Sequence, residues 1–572
     1  MNERARRIAN LSPEKRRLLE LMLQERAQVR TDKGIPALPR YSESDQPRIF
    51  PLSSAQRLMW FNEQQSPGAH NMSPPAIRLR GPLDIAALEA SLHEICSRHE
   101  AVRTTFGTRN GEPVQIVGPP RPVSLTRVDL RELPRETREA EASRLLVREA
   151  RRPFDLPRDL MLRATLVRLD DEEHVLQLVM HHIVSDGWSV RVLFGELSAL
   201  YNASRSGKRA SLPELPVQYV DYIVWQWQRL RDGELQRLMD YWKDQLADAP
   251  VALHMPAGQP RLWPSRPKGQ RQTLRMPARL LQELHVLCRQ QNVTLYMTLL
   301  AAWVTLLHRY SGEEDILIST YTANRNWPEV ERLIGCFTSY LLVLRHDLGG
   351  DPSFTELLKR ARKTVLDAFS HSELPVEILR KELYVDCQIG FALQAADFSS
   401  LSRLKLDGLQ VEQFTTDREP SPRAFLRLTM TEGDGDLTAA LDYDSDIFEA
   451  ATIQHMLGDY QGLLEGIVAD PEQRISGLPL LTESERLAAQ ARSWSIPFRK
   501  RLRWSLRHTR RGAGRFLQAG QAWPLVGSLL ARIEGVFGHL LSPLVTEPFR
   551  VPPAELLSDV PRRESGEPRR AS

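Results

Sequence analysis

A pair of adjacent histidines followed by an aspartate and a glycine is the pattern in this sequence that could most directly do chemistry. The segment reads His181-His182-Ile183-Val184-Ser185-Asp186-Gly187-Trp188-Ser189. An imidazole titrates near neutral pH and can accept a proton from an attacking nucleophile or hold it by a hydrogen bond, so a histidine here is a candidate base. Because side chains alternate along a strand, His181 and His182 are expected to face opposite sides, with only one of them in a given cleft.

The four residues at the end of this segment are expected to support a reacting histidine. Asp186 can orient the loop through a charged partner, and Gly187 lets the backbone approach a substrate or take unusual angles. Trp188 and Ser189 are expected to pack against and cap the following helix. Two other interpretations stay open for the histidine pair alone: it is only structural, or it binds zinc. Zinc is disfavoured because adjacent strand residues cannot easily share one ion and no third ligand has a suitable spacing.

Hydrophobic periodicity places the histidine segment between a strand and a helix, in a chain that alternates the two. Residues 162–168 and 174–182 read as neighbouring strands, and the apolar residues from 190 to 200 have helical spacing. Further strands are predicted over 76–80, 315–320, 341–346 and 437–443, and further helices over 11–29, 84–99, 138–151, 278–291, 294–310, 353–369 and 448–469. This order predicts two mixed α/β lobes of about two hundred residues each.

The length and composition exclude a peptide hormone, a lone binding module and a disordered tail. At 572 residues, with 42% hydrophobic and 26% charged residues, the chain is long enough for about two to four domains of a soluble globular protein. The net charge of +4 is unevenly spread: residues 496–572 hold 14 Arg and Lys against 6 Asp and Glu, which leaves −4 for the first 495 residues. A body of that charge does not suggest a nucleic-acid surface.

Cysteine usage and hydropathy predict a cytoplasmic protein. The cysteines Cys96, Cys288, Cys336 and Cys387 are far apart and show no metal-binding spacing, which fits a reducing compartment. The N-terminus has no apolar stretch long enough for a signal peptide. The longest apolar region, 524–545, is interrupted by charged residues and makes a poor membrane span. We therefore expect neither secretion nor a membrane partner.

The histidine segment resembles the HHxxxDG signature of the condensation domains of nonribosomal peptide synthetases, including the Trp-Ser pair that follows it. Five further segments resemble other motifs of the family in the family's order: 53–61 (SSAQRLMWF), 98–106 (RHEAVRTTF), 219–226 (YVDYIVWQ), 334–337 (IGCF) and 371–375 (HSELP). The histidine segment is unlike that of heterocyclisation domains, which carry DxxxxD, and that of epimerisation domains, in which the Trp-Ser pair differs. Residues 336–340 (CFTSY) and 425–428 (FLRL) depart from the family pattern.

The resemblance implies an α/β fold of two chloramphenicol-acetyltransferase-like lobes, arranged as a V-shaped pseudo-dimer with a tunnel between them. We expect the N-terminal lobe over 48–215 and the C-terminal lobe over 216–485. Residues 1–47 would be a helix and linker that could serve in docking. Residues 486–572 would be an exit linker and a basic tail, interpreted as a truncated or out-of-frame remnant of an adenylation domain; an RNA-binding tail is the competing interpretation.

The resemblance also implies roles for individual residues. His182 would be the catalytic histidine, either positioning an attacking amine or taking its proton. His181 and Asp186 would belong to the same catalytic segment in structural roles, with Arg325 of the second lobe as the ion-pair partner of the aspartate. The backbone N–H of Gly187 would help to bind a developing oxyanion. Substrate or structural support is expected from the remaining candidates, Arg325, Trp188 and Ser189.

In this family the α-amine of an acceptor attacks a donor aminoacyl or peptidyl thioester, and both substrates arrive on phosphopantetheine arms of carrier proteins. The resemblance therefore implies an amide-forming acyltransferase of secondary-metabolite biosynthesis, of the kind that makes bacterial antibiotics. It implies no cofactor or metal bound by this chain, a donor carrier protein on another polypeptide and a downstream acceptor carrier. Two other functions stay open: an inactive condensation-like module that recruits partner proteins, and a related acyltransferase that uses a free amine or alcohol.

Overall fold

The computed structural model of the chain describes residues 34–38, 48–250, 253, 255, 269–376, 378–379, 383, 387, 389–395, 401–416, 426–433 and 435–479. The predicted helix over 11–29 and the predicted basic tail over 486–572 lie outside these residues. Within the described ranges, no helix is both long enough and apolar enough to cross a bilayer.

The first half of the described chain alternates strands and helices. Its strands are β1 (Arg48–Pro51), β2 (Asn71–Met72), β3 (Ala76–Arg80), β4 (Thr104–Arg109), β5 (Glu112–Val117), β6 (Leu125–Asp129), β7 (Leu162–Asp170) and β8 (Glu173–His181). Its helices are α1 (Ser54–Gln65), α2 (Ile85–Arg98), α3 (Arg135–Arg151) and α4 (Gly187–Arg205).

The second half opens with two helices and then builds a second sheet. Its helices are α5 (Tyr219–Arg229), α6 (Leu235–Gln245), α7 (Ala278–Gln291), α8 (Leu295–Ser311), α9 (Phe354–Ser370) and α10 (Ala450–Ala469). Its strands are β9 (Gly269–Met276), β10 (Asp315–Thr322), β11 (Ser339–Asp347), β12 (Ile389–Ala395), β13 (Gln410–Phe414), β14 (Leu426–Glu432) and β15 (Leu437–Asp444).

The main sheet of the first half has the order β13-β3-β8-β7-β6, and β2 pairs with the end of β8. Strands β7 and β8 are antiparallel neighbours, as predicted from their apolar patterns. Leu92 of α2 and Leu193 of α4 are buried in one apolar cluster with Leu176 and Leu178 of β8. Two helices packed on one face of the sheet therefore hold β8, the strand that ends at the histidine pair.

The sheet of the second half has the order β11-β10-β12-β14-β15-β9. Helix α8 lies inside this half, which explains why its sequence is apolar on all sides rather than on one face. Leu300 and Trp303 of this helix have no solvent exposure. Together the two halves have the mixed α/β, chloramphenicol-acetyltransferase-like architecture expected from the sequence.

One strand crosses from the second half of the chain to the first. Strand β13 pairs antiparallel with β3, from Gln410↔Arg80 to Phe414↔Ala76, at the edge of the first sheet. This strand lies within the range predicted for the C-terminal lobe, 216–485, and it pairs with the sheet of the first half. The side chain of Phe414 gives a reason, because it is buried with apolar residues of the first half such as Val167.

The predicted helices and strands that fall on described residues are confirmed, and their ends differ by at most five residues. Side-chain caps explain why several helix starts were predictable from the sequence. Asp84, Thr294 and Ser353 accept hydrogen bonds from the backbone N–H groups of Ala87 (2.9 Å), Met297 (3.3 Å) and Glu356 (3.3 Å).

Candidate active site

His182 lies directly after β8 and is half-buried. Its backbone N–H donates to the carbonyl oxygen of His70 at 3.0 Å. Its ring Nδ1 lies 2.6 Å from the carbonyl oxygen of Ser185. A carbonyl can only accept a hydrogen bond, so Nδ1 carries a proton and Nε2 holds the lone pair of the neutral ring. Nε2 is therefore the atom of this residue that can accept a proton from a nucleophile.

His181 has a different environment, because its side chain has no solvent exposure. Its Nδ1 accepts the backbone N–H of Ile183 at 3.0 Å, and its Nε2 lies 3.2 Å from Oε2 of Glu63. The ring also meets Phe154 edge to face, with 5.8 Å between centroids. Burial lowers the pKa of His181, although the Glu63 carboxylate acts in the opposite direction. Of the two histidines, only His182 has an exposed surface.

Asp186 is the N-cap of α4 and is fully buried. Its Oδ1 accepts the backbone N–H and the hydroxyl of Ser189, both at 2.8 Å, and Nη2 of Arg325 at 3.1 Å. Its Oδ2 accepts the backbone N–H of Phe337 at 3.2 Å and the hydroxyl of Thr338 at 3.4 Å. Both carboxylate oxygens are thus occupied by contacts that fix the loop, which fits a structural role and not a reacting one.

Arg325 follows β10, and its side chain is 2% exposed. Besides its ion pair with Asp186, it donates from Nη1 to the carbonyl oxygens of Val330 and Leu333, each at 2.7 Å. Its Cζ also lies 4.2 Å from the ring centroid of Phe337. Burial lowers the pKa of Arg325, and Asp186 acts against that effect. The guanidinium therefore joins the histidine segment of the first half to a loop of the second half.

The last three residues of the segment begin α4. Gly187 is the first helical residue and its φ is not positive, so the expectation of an unusual backbone conformation there is wrong. Trp188 donates from Nε1 to the carbonyl oxygen of Glu331 at 2.7 Å. Ser189 completes the capping box of the helix and accepts the backbone N–H of Gly335 at 3.1 Å. Packing and capping are thus the contacts that Trp188 and Ser189 make.

A cavity of about 40 Å³ lies beside this network. Phe337 and Thr338, which donate to Asp186, are part of its wall, whereas His182 is not. The wall includes the departures from the family pattern at Cys336, Thr338 and Ser339. The other lining residues are Ser53, Ser54, Ala55, Tyr219, Tyr222, Gln226, Asn324, Ser372, Glu373, Leu374, Pro375 and Val376.

Replacing Gly335 by alanine is expected to destabilise this junction by about 1–3 kcal/mol. A Cβ at Gly335 would lie 2.6 Å from ring atoms of both Phe337 and Tyr219, which are packed against each other. Gly195→Ala is the matched control, because a Cβ there meets nothing within 4 Å and the position lies inside helix α4. Urea unfolding should show a lower free energy of unfolding for Gly335→Ala and a slightly higher one for Gly195→Ala. Equal stability of the two variants would contradict this account of the junction.

A metal centre would need a third ligand beside the histidine pair. Among the residues that the structure describes, no three His, Cys, Asp or Glu side chains are grouped so that they could hold a metal ion. Among the residues predicted from the sequence, Asp186 and Arg325 form a direct ion pair. His182 lies in the same loop as Asp186 and contacts the residue before it, Ser185. The structure also adds two residues that sequence reasoning missed, Glu63 and His70, which contact the histidine pair.

Comparison with known proteins gives consistent matches. The family model described as "Condensation domain" matches residues 46–488. One of the linear gramicidin synthase subunits of Brevibacillus parabrevis is 41% identical over 448 residues, which are 76% of this chain and 6% of that protein. The chain therefore spans less than a tenth of the length of this relative.

Two solved structures extend the likeness to the fold. The X-domain from teicoplanin biosynthesis is 29% identical, with a TM-score of 0.67 over 78% of this chain and 100% of that one. The first condensation domain of the calcium-dependent antibiotic synthetase, in complex with a substrate analogue, has a TM-score of 0.61 at 20% identity and covers 76% of this chain and 100% of that one. At that identity the second likeness concerns the fold alone.

Proposed function

Because this chain belongs to the condensation-domain family, we propose that it forms an amide bond between two substrates carried as thioesters on partner proteins. Condensation domains of nonribosomal peptide synthetases are amide-forming acyltransferases, and the relatives of this chain are subunits of such synthetases. The observation that carries the proposal is the position of His182: half-buried after β8, with Nδ1 held by Ser185 and Nε2 as the proton acceptor.

In the proposed reaction, the amine of the acceptor attacks the carbonyl carbon of the donor thioester. A C–N bond forms, the C–S bond breaks, and the proton lost by the amine passes by way of Nε2 of His182 to the departing phosphopantetheine sulfur. Nε2 of His182 accepts the hydrogen bond of the amine and takes its proton as the amide forms, an effect worth about 10²- to 10⁴-fold in comparable cases. Holding both tethered reactants in a tunnel between the lobes contributes through proximity, by about 7–11 kcal/mol at best.

The residues around His182 act by holding it and by stabilising charge. Asp186 and Arg325 keep the loop fixed from both halves of the chain and do not touch the reacting atoms. Gly187 is the first residue of α4, so its N–H has no acceptor within the helix and can donate to the developing oxyanion. The positive end of the helix dipole favours negative charge at the same place.

The proposed partners are an upstream donor carrier protein and a downstream acceptor carrier protein. Both would present substrates on phosphopantetheine, so the chain would need no cofactor or metal of its own. We place the reaction in the cytoplasm, in the synthesis of a peptide secondary metabolite such as an antibiotic. We propose lobes at 48–215 and 216–485, with β13 of the second range paired to the first sheet.

A second candidate function is a condensation-like module that recruits another protein. It is favoured by the 29% identity to the teicoplanin X-domain, which has been solved in complex with OxyB. Under this proposal His182 would hold no substrate, and the surface of the fold would be its working part. A third candidate function is acyl transfer to a free amine or alcohol, which would use the same site with a smaller acceptor.

One assay distinguishes the three functions. The 572-residue chain is mixed with a donor carrier bearing an aminoacyl thioester and either an aminoacyl acceptor carrier, the free amino acid or an alcohol. Intact-protein mass spectrometry follows the product on the acceptor carrier and the loss of the aminoacyl group from the donor carrier, and small-molecule mass spectrometry follows the products of the free acceptors. We expect dipeptidyl transfer to the acceptor carrier well above the rate without the chain. Product only with the free acceptors would support the third function, and no product above background with any acceptor would support the recruiting module.

A further inference from the structure

Glu63, in the last turn of α1, is a buried carboxylate beside the histidine pair, with a side chain that is 6% exposed. Three donor groups converge on it. The backbone N–H of Gly68 lies 2.5 Å from Oε1, while Nδ1 of His70 and Nε2 of His181 lie 3.3 Å and 3.2 Å from Oε2. A carboxylate removed from water is costly unless it is paired, so this convergence is what permits an acid here.

The three donors determine the charge of this cluster. Burial alone would raise the pKa of Glu63, but the hydrogen-bonding interactions with His181, His70 and Gly68 together lower it to about 2. Nδ1 of His181 accepts the backbone N–H of Ile183, so a neutral His181 carries its proton on Nε2, which lies 3.2 Å from Oε2 of Glu63, at ion-pair distance but without an aligned hydrogen bond. Glu63 is thus an anion that orients the ring of His181.

The same carboxylate reaches His182 along a second route. The carbonyl oxygen of His70 accepts the backbone N–H of His182 at 3.0 Å, and Asn71 pairs with His181 in the β2–β8 ladder. Residues 68–72 therefore fix the end of β8 through a backbone hydrogen bond and a strand pairing. Glu63 contacts this segment at two points, because its carboxylate accepts the Gly68 N–H and contacts Nδ1 of the His70 ring.

We propose that Glu63 is a positioning residue, whose carboxylate fixes His70 and His181 and through them sets the position of His182. The inference rests on the proposed function for its consequence in catalysis. This positioning role requires the carboxylate of Glu63, and an amide of the same shape does not replace it. In Glu63→Gln, one end of the amide is an NH₂ group that must face either the Gly68 N–H or the Nε2–H of His181, both of which are donors.

The test uses the 572-residue chain with Glu63→Gln in the carrier-to-carrier transfer assay. Misplacing a catalytic group by about 1 Å can cost about 10²-fold, and loss of the hydrogen-bond partner that orients a metal-binding histidine costs about 10- to 100-fold. We expect kcat to fall by about 10- to 100-fold, with the KM for both carriers unchanged. We also expect the ring ¹⁵N signals of His181 and His182 to shift in the same variant, measured without any carrier present.

Glu100→Gln is the matched control, because Glu100 is also a buried carboxylate of the first half. Its carboxylate pairs with Arg48 at 2.6 Å and with Arg103 at 3.6 Å, whereas that of Glu63 pairs with two histidines. This variant should lower thermal stability and keep kcat and the two histidine signals. The proposal is overturned if Glu63→Gln keeps kcat within about twofold of the wild type, or if Glu100→Gln loses kcat equally.

The ring signals keep this proposal separate from the proposed function. If the wild-type chain transfers no faster than His182→Ala, the proposed function fails. The ¹⁵N signals of His182 then decide the positioning role: a shift in Glu63→Gln and none in Glu100→Gln supports it, and unchanged signals in both variants overturn it.

Discussion

Replacing His182 by alanine is expected to slow amide formation between two loaded carriers by about 10²- to 10⁴-fold. The variant removes Nε2, the atom placed to take the amine proton, and leaves the binding of both carriers and their proximity unchanged. Single-turnover transfer, followed by mass spectrometry of the acceptor carrier, measures this loss directly. The half-buried position of the ring predicts that the thermal midpoint changes much less than the rate.

Two further substitutions at His182 separate positioning of the amine from removal of its proton. Asparagine can donate to the carbonyl oxygen of Ser185 as Nδ1 does, but it places no acceptor where Nε2 lies. Glutamine can bring an amide oxygen toward that place, and this oxygen accepts a hydrogen bond but is not a base at neutral pH. If positioning dominates, Gln retains far more activity than Asn; if proton transfer dominates, both fall to the level of Ala. Retention of more than about a tenth of the wild-type rate by His182→Ala would contradict the catalytic role.

The sequence predicted most readily those elements whose signals are local. Helix α8 was predictable because Thr294 caps it and an apolar run follows, and β7 and β8 were predictable from apolar runs of strand length. Helix α5 was not predicted, since most of its residues are buried and no single apolar stripe stands out along its sequence. The crossing of β13 could not be read at all, because its pairing with β3 depends on a partner more than three hundred residues away.

The same distinction between local and distant signals applies to the site. His182 and Asp186 stand in one short segment, and the resemblance to condensation domains supplied Arg325, which lies 139 residues beyond Asp186. Glu63 was missed because no pattern near it indicates a contact with His181. The other partners of the network include the backbone N–H of Phe337 and the carbonyl oxygens of Val330 and Leu333, and main-chain groups leave no trace in residue types.

Replacing Arg325 by methionine is expected to lower the free energy of unfolding by about 3–5 kcal/mol. The variant leaves the buried Asp186 carboxylate without its countercharge, and it also removes the donors to the carbonyl oxygens of Val330 and Leu333. The variant should also lose activity, because the ion pair with Arg325 attaches the loop that carries His182 to the second half of the chain. Urea unfolding with an unchanged m-value, together with kcat of the folded fraction, measures both effects.

A substitution at the partner separates the charge of Asp186 from its role as a helix cap. Asparagine is as good an N-cap as aspartate, so Asp186→Asn keeps α4 capped, removes the anion and turns the oxygen that accepts the backbone N–H of Phe337 into an NH₂ group, whereas Asp186→Ala loses a further 0.5–2 kcal/mol or so with the cap. In Asp186→Asn the guanidinium of Arg325 is left as an unpaired buried cation. Combining Asp186→Asn with Arg325→Met removes both charges, so the double variant should be more stable than the sum of the single losses predicts, by about 0.5–3 kcal/mol. Strictly additive losses would mean that the pair is held by its surrounding hydrogen bonds alone, and that the link between the halves does not depend on charge.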